Sequence, residues 1–517
     1  MFNISTFLDT HQARFPDKIA LIHPKSNRSY TYTDLYRFSG SLAAACEEFG
    51  LVPGDRVVLY LDSSPEYLIS YFALWRAGLV AVPTNIVYRK DELAYAIRDS
   101  GAKMLITSVS SRDITGLMKK SCPELVHIVE VGGVGKYSWE NLTLSHDPLR
   151  PVPCSPDQVC QIQYTSGTTG RPKGAMLTHS GWLAALQAEG EALDLTCDDI
   201  YLGIYPMAHV GISWGLSVLR AGGTYVIMER YNLDEYISLT REYQITILAG
   251  MPPVIHALTE TPPGTEDNFT SVRRIISGGG PMHSPTWKKF NERFKIPVIN
   301  AYGLSETIVL GCGTVIRPED YPTADEYNSV GKPVGYAEVK IVEVGNPAKE
   351  LTSPHAGEIA LRGPGVALGY WNQPEETKEV FMEDGWFLTG DIGYIDDHGM
   401  LVITDRKKDM IIMSGWKVYP TEVENVLINH PKISDIAIFG CPDEEKGEIP
   451  AAAVVLRNKE DTLTLEELSG WSREQLAGYK IPRRLVILNQ LPRVGGWKLL
   501  RRELRESLCS EKRSGEA

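Results

Sequence analysis

Tyr164-Thr165-Ser166-Gly167-Thr168-Thr169-Gly170-Arg171-Pro172-Lys173-Gly174 gathers hydroxyl side chains, glycines and a lysine into one short stretch. It follows Val159-Cys160-Gln161-Ile162-Gln163, which reads as a short buried strand. Glycine lets the backbone turn tightly and brings amide N–H groups close to an anion. Ser and Thr add hydroxyl donors, and Lys173 adds a point charge suited to phosphate. The stretch reads as a loop for holding a polyphosphate. It departs from the common nucleotide loop G-x-x-x-x-G-K-[ST], because Arg171-Pro172 separate Gly170 from Lys173 and Gly174-Ala175 follow the lysine.

On either side of this loop the chain alternates short apolar runs with longer amphipathic ones. Arg56–Leu61, Leu79–Pro83 and Lys103–Thr107 read as strands, with helices over Pro65–Ala77 and Lys90–Asp99 between them. Thr224–Met228, Thr246–Ala249, Arg274–Ser277 and Pro297–Asn300 continue the rhythm. This is the βαβ pattern of an α/β fold, with helices covering sheets on both faces. Beyond about Gly331 short strands separated by turns predict a small β-barrel-like subdomain, over Val339–Val342, Gly357–Leu361 and Leu401–Thr404. A compact α+β segment of roughly a hundred residues ends the chain. The charged run Asp405-Arg406-Lys407-Lys408-Asp409 lies between the two textures and predicts a hinge. The expected domains are therefore 1–404, a hinge at 405–409, and a mobile 410–517.

At 517 residues the chain exceeds the size of a single core, so two or more domains are expected. With 52 basic and 65 acidic residues the net charge is −13, which argues against nucleic-acid binding. An anionic substrate must be met by local donors. The N-terminus lacks the basic lead and apolar run of a secretory signal, and no apolar run is long enough to span a bilayer. Eight scattered cysteines without a C-x-x-C pair suit reduced thiols, hence a cytoplasmic protein.

The full loop string resembles the phosphate-binding signature of the acyl-adenylate-forming superfamily, and in particular its AMP-dependent acyl-CoA synthetases and ligases. The resemblance runs from about residue 8 to residue 505, with the motifs in the family's order. It implies that Thr165, Ser166, Gly167, Thr168, Thr169, Gly170 and Lys173 hold the phosphates of ATP. Ala301-Tyr302-Gly303-Leu304-Ser305-Glu306-Thr307 is similar to the Y-G-x-T-E motif. By that likeness Ala301, Tyr302, Gly303 and Ser305 border the nucleotide, and Glu306 binds Mg²⁺ with Thr165 as hydroxyl partner. Ser277-Gly278-Gly279-Gly280-Pro281 resembles the wall beside the adenine and acyl group, where missing side chains leave room. Thr389-Gly390-Asp391 resembles the T-G-D motif, whose carboxylate accepts from the ribose diol, and Arg406 matches an arginine beside it.

Pro206-Met207-Ala208-His209 implies a histidine at the wall of the acyl pocket. Leu491–Arg505 resembles the family's C-terminal lysine motif and puts Lys498 in the catalytic position. Trp497 stands where the family has glycine, with Gly495-Gly496 one step earlier, which puts the path of that loop in question. Lys408 matches the pivot of a rotating C-terminal domain, and Gly415-Trp416 the region that forms the pantetheine tunnel. The reaction implied is activation of a carboxylic acid by ATP, then transfer to coenzyme A with release of AMP. Ile212, Trp214, Leu304, Ile308 and Val309 are apolar candidates for a pocket taking a medium-chain, alicyclic or aromatic acid. The alternatives are an adenylation enzyme that loads a carrier protein and a non-catalytic nucleotide- or acyl-binding relative. The first wants an acidic residue for an amino acid's ammonium, and Tyr205–Trp214 holds none. The oligomeric state is left open, with a homodimer among the options.

Overall fold

The computed structural model describes residues 2–165, 172–280, 282, 284–322, 329–458, 460–494 and 498–509. The chain divides into two compact units, one of residues 1–339 and 361–388 and the other of residues 340–360 and 389–517.

In the first unit, strands His127–Val131, Met104–Ser108, Arg56–Tyr60, Val80–Thr84 and Val159–Thr165 lie side by side in that order, all parallel. Lys173–Thr178 adds an antiparallel edge. The inner strands Met104–Ser108, Arg56–Tyr60 and Val80–Thr84 are almost wholly buried, as a parallel sheet covered on both faces requires. Helix Pro65–Arg76 shows the packing: every one of its residues is buried. Ser64 caps its first turn by accepting from Tyr67 N, and Pro65 at the first helical position loses no hydrogen bond. A second, nine-stranded sheet has a parallel centre formed by Val298–Tyr302, Arg274–Ser277, Ile247–Ala249, Ile200–Gly203, Thr224–Ile227 and Ile19–His23. Antiparallel strands flank it at both ends.

The second unit holds most of a five-stranded sheet, ordered Asn346–Leu351, Glu338–Glu343, Gly357–Arg362, Phe387–Ile395, Leu401–Arg406. Its other main sheet joins Trp416–Val418, Ile411–Met413, Gly447–Leu456 and Ile433–Asp443, with Arg484–Ile487 parallel to Gly447–Leu456. Helices Pro420–Leu427 and Leu465–Arg473 cover one face around Val423, Leu427, Ile438, Val454 and Leu468.

Several expectations shift. Strand Val298–Tyr302 takes in Ala301 and Tyr302, which the sequence placed after it, because the antiparallel neighbour Thr314–Ile316 extends the pairing. Strand Leu401–Arg406 absorbs Asp405 and Arg406 of the charged run through pairing with Ile392 and Asp391. Reduced thiols were expected throughout, yet Cys441 and Cys509 form a disulfide with Cα atoms 5.5 Å apart. Their 68-residue separation hid the pair; helix Arg501–Leu508 packs on strand Ile433–Asp443 and closes it. Among the described residues no helix is long and apolar enough to cross a membrane.

Candidate active site

The phosphate-loop strands pair with Thr165 opposite Lys173, so the loop leaves and rejoins the sheet at that pair. Ser166, Gly167, Thr168, Thr169 and Gly170 lie outside the described residues. Both ends of the loop are anchored. Thr165 Oγ1 donates to the Lys173 carbonyl at 3.4 Å. The Pro172 carbonyl accepts from Tyr95 OH at 3.1 Å and Gln373 Nε2 at 3.3 Å. The Lys173 ammonium stands 5.1 Å from the centre of the Tyr370 ring, a cation–π contact.

Tyr370 also reaches the predicted metal ligand. Its hydroxyl donates to Glu306 Oε1 at 3.1 Å, and burial together with the Glu306 charge holds that hydroxyl protonated far above its ordinary range. Glu306 sits in the short turn Ser305–Thr307, 8% exposed, and this turn packs against the two loop strands. The segment Ala367–Trp371 forms the connecting strap. Ala367 N donates to the Glu306 carbonyl, Leu368 N to that of Met176, Met176 N to that of Gly369, and Trp371 N to that of Gly174. Lys173, Tyr370 and Glu306 therefore form one cluster at the carboxyl end of a parallel strand, where ligand sites of α/β sheets lie. Nothing in the sequence analysis singled out Tyr370; a Gly-Tyr-Trp triplet is too common to mark a site.

The donors here are hard oxygens, the Glu306 carboxylate and the Thr165 hydroxyl. They fit Mg²⁺, which takes few protein ligands and fills its octahedron with water and phosphate oxygens. Among the described residues no group of three His, Cys, Asp or Glu gathers to hold a metal.

The backbone beyond Glu306 is tightly wound. A Cβ on Gly303 would stand 1.7 Å from the Val309 carbonyl oxygen, so only glycine fits. Ile308 and Val309 have φ of +47° and +48°, in the left-handed region that β-branched residues avoid. Of the apolar pocket candidates, Ile212, Trp214 and Ile308 are buried in the core, while Leu304 and Val309 retain surface. The glycine wall divides likewise. Gly279 has a φ of +77°, a Cβ on Gly278 would stand 3.1 Å from the Ala301 carbonyl oxygen, and one on Gly280 would meet nothing within 4 Å among the described residues. Pro281 is not among the described residues.

His209 begins the turn Val210–Ile212 and is exposed. Asn85, just past strand Val80–Thr84, meets His209 Nε2 at 3.2 Å. No motif in the sequence marks Asn85. Behind the histidine, Gln163 Nε2 donates to the Ala208 carbonyl at 3.0 Å, and Gln161 Nε2 donates to Gln163 Oε1 at 2.9 Å.

In the second unit Asp391, 6% exposed, pairs with Arg406 Nε at 3.2 Å and is its register partner across the strands. Lys407 is bound to Glu358 at 2.7 Å. Burial pushes the Lys408 ammonium below the usual lysine range, and the neighbouring Arg406 adds to this. Burial raises the Asp405 carboxyl to about 6, although Thr421 N and Arg406 N donate to it. Gly415 has φ +84°, and the exposed Trp416 ring stacks on Tyr479 at 5.2 Å. Lys498 pairs through its backbone with Val494 in a small hairpin. Its side chain lies outside the described residues, as do Gly495, Gly496 and Trp497.

The α/β unit, with its Lys173–Tyr370–Glu306 cluster, and the smaller unit, with its Asp391–Arg406 pair, are those of an adenylate-forming enzyme. Residues 8–371 match the AMP-binding enzyme family, and residues 422–496 match the AMP-binding enzyme C-terminal domain. The chain belongs to this family, the AMP-forming acyl-CoA synthetases and ligases. It is 31% identical to 4-coumarate–CoA ligase 2 of Nicotiana tabacum, over 96% of this chain and 93% of that one. Feruloyl-CoA synthase of an Amycolatopsis species is 32% identical, over 92% of this chain and 93% of the relative. The crystal structure of ATP-bound MatB from Rhodopseudomonas palustris superposes with a TM-score of 0.89 at 29% identity, covering 98% of this chain and 99% of that chain.

Proposed function

We propose that this chain is an ATP-dependent acyl-CoA ligase for a carboxylic acid, with an aromatic acid the substrate class it suits best. The observation that carries the reading is the Lys173–Tyr370–Glu306 cluster at the neck of the phosphate loop. It brings the Lys173 ammonium and the buried Glu306 carboxylate onto the same tyrosine, a cation and an anion of the kinds that phosphate oxygens and a divalent cation call for. The aromatic assignment draws on the relatives named for coumarate and ferulate.

A carboxylate is a poor acyl donor, since its leaving group would be oxide. In this reading its oxygen attacks the α-phosphorus of ATP, forming a mixed anhydride and expelling pyrophosphate. The sulfur of coenzyme A then attacks the acyl carbon, and AMP leaves with the bonding electrons. Positioning and charge stabilisation supply the catalysis. Thr165, Lys173 and the loop between them hold the β- and γ-phosphates. Asp391 accepts from the ribose hydroxyls, with Arg406 beside it. Glu306 and Thr165 would hold Mg²⁺, whose charge offsets that of the triphosphate. Lys498 meets the charge developing at the α-phosphate. The second half-reaction uses a rotation of the C-terminal segment about Lys408, which brings Gly415-Trp416 to the pantetheine. A reaction consuming ATP and coenzyme A also favours a cytoplasmic setting.

The test is pyrophosphate release from Mg-ATP across a panel of acids, with and without coenzyme A. Release dependent on an aromatic acid, with thioester formed only when coenzyme A is present, is the expected result. Acid-dependent release without thioester assigns the chain to carrier-protein loading instead. Glu306→Gln is expected to slow release by roughly 10²–10³, the usual cost of removing one charged group from such a transition state. An unchanged rate removes Glu306 from the site.

A further inference from the structure

We propose that Asn85 is a positioning residue that fixes the tautomer of the neutral His209 ring, with its proton on Nδ1. The inference deepens the ligase reading and rests on it for the functional consequence.

The argument begins with the amide. Asn85 Oδ1 accepts from Val87 N at 3.1 Å, so the oxygen end of the side chain is committed to its own turn. That turn is held independently, because Tyr60 OH donates to the carbonyls of Ile86 at 3.0 Å and Tyr88 at 2.9 Å. The NH₂ end is what faces His209, and it has only protons to give. A nitrogen that receives a proton donor must offer a lone pair, so Nε2 is the acceptor and the ring's proton sits on Nδ1. The assignment follows from the hydrogen-bond pattern, the usual way a histidine tautomer is fixed.

The histidine's backbone is equally constrained. Gln163 Nε2 holds the Ala208 carbonyl, Ser63 Oγ accepts from Met207 N at 3.1 Å, and His209 N donates to the Pro206 carbonyl. Strand Val80–Thr84 runs parallel to Val159–Thr165 with Ala81 opposite Gln161, so Asn85 emerges at the same sheet edge as the phosphate loop. With its backbone pinned and Nε2 engaged, His209 does not act as a base from Nε2.

The experiment uses the full chain labelled with imidazole-¹⁵N histidine. The His209 resonance is identified by its loss in His209→Ala. Wild type is expected to show a pyrrole-type Nδ1 and a pyridine-type Nε2. Asn85→Asp keeps the acceptor for Val87 N and replaces the donor with an oxygen, so the proton should move to Nε2. Acid-dependent kcat/KM for pyrophosphate exchange should fall roughly tenfold, the worth of one hydrogen bond. Asn85→Asp combined with His209→Ala should lose no more than His209→Ala alone. Asn85→Ala, which frees the ring without reversing it, should give a mixture of tautomers. A proton on Nε2 in wild type, an unchanged spectrum in Asn85→Asp, or additive losses in the double variant each overturn the proposal. If His209→Ala leaves acid-dependent exchange intact, the functional role of His209 falls; the spectra then still decide whether Asn85 sets the tautomer.

Discussion

Ile308 poses the sharpest residue-scale question, because two terms of opposite sign meet in one side chain. Its φ of +47° costs about 1–3 kcal/mol for a non-glycine residue, and Val309 beside it is no better placed. Yet the side chain is wholly buried and lies against Gly181 of helix His179–Leu193. Deleting such a side chain costs about 2–5 kcal/mol. Burial should win, so Ile308→Gly is expected to lower unfolding free energy by about 1–2 kcal/mol, read from the denaturant midpoint. A more stable variant would mean that backbone strain dominates. At this scale the sequence spoke unevenly. Glu306 and Asp391 sit in strings distinctive enough to carry a family resemblance. Tyr370 and Asn85 sat in strings that occur everywhere, and their importance comes from partners 64 and 124 residues away.

Between elements, a buried carboxyl ties two helices together. Glu189 of helix His179–Leu193 accepts from Ser213 Oγ at 2.5 Å and Ser217 Oγ at 2.6 Å, both on helix Ser213–Ala221. Burial raises its pKa to about 8, outweighing the two hydroxyl donors. The folded value thus exceeds the ordinary 4.5, and the folded chain keeps the proton longer than the unfolded chain does. Its stabilising effect is complete below about pH 4.5 and is lost as pH climbs through 8. Glu189→Gln should remove this dependence and leave the variant the more stable form above pH 8, by on the order of a few kcal/mol. Parallel denaturation curves for the two proteins from pH 5 to pH 9 check it; identical slopes would show Glu189 ionised without penalty. This carboxyl also qualifies an expectation. The stretch Tyr205–Trp214 contains no acidic residue, but Glu189 reaches Ser213 from another helix. It is fully buried and serves packing.

For the molecule as a whole, the residues assigned to the first half-reaction come from both units. Glu306 and Lys173 belong to one, Asp391 and Lys498 to the other. Lys498→Ala is expected to reduce adenylation by roughly 10²–10³ while leaving thioester formation from a supplied acyl-adenylate nearly unchanged. Equal losses in both steps would give Lys498 a structural role. Single-turnover measurements of each half-reaction separate these outcomes.

What the sequence by itself determined was local: the βαβ rhythm and the short strings around Lys173, Glu306 and Asp391 that carry the family resemblance. Each is written in residues close together in the chain, where glycine, hydroxyl and charge spacing act directly on backbone and ligand. Tertiary structure alone decided which distant residues meet. It joined Tyr370 to Glu306, Asn85 to His209, Glu189 to two serines, and Cys441 to Cys509. Those pairings depend on strand order and helix packing, which balance burial over hundreds of residues and leave no spacing in the chain to read.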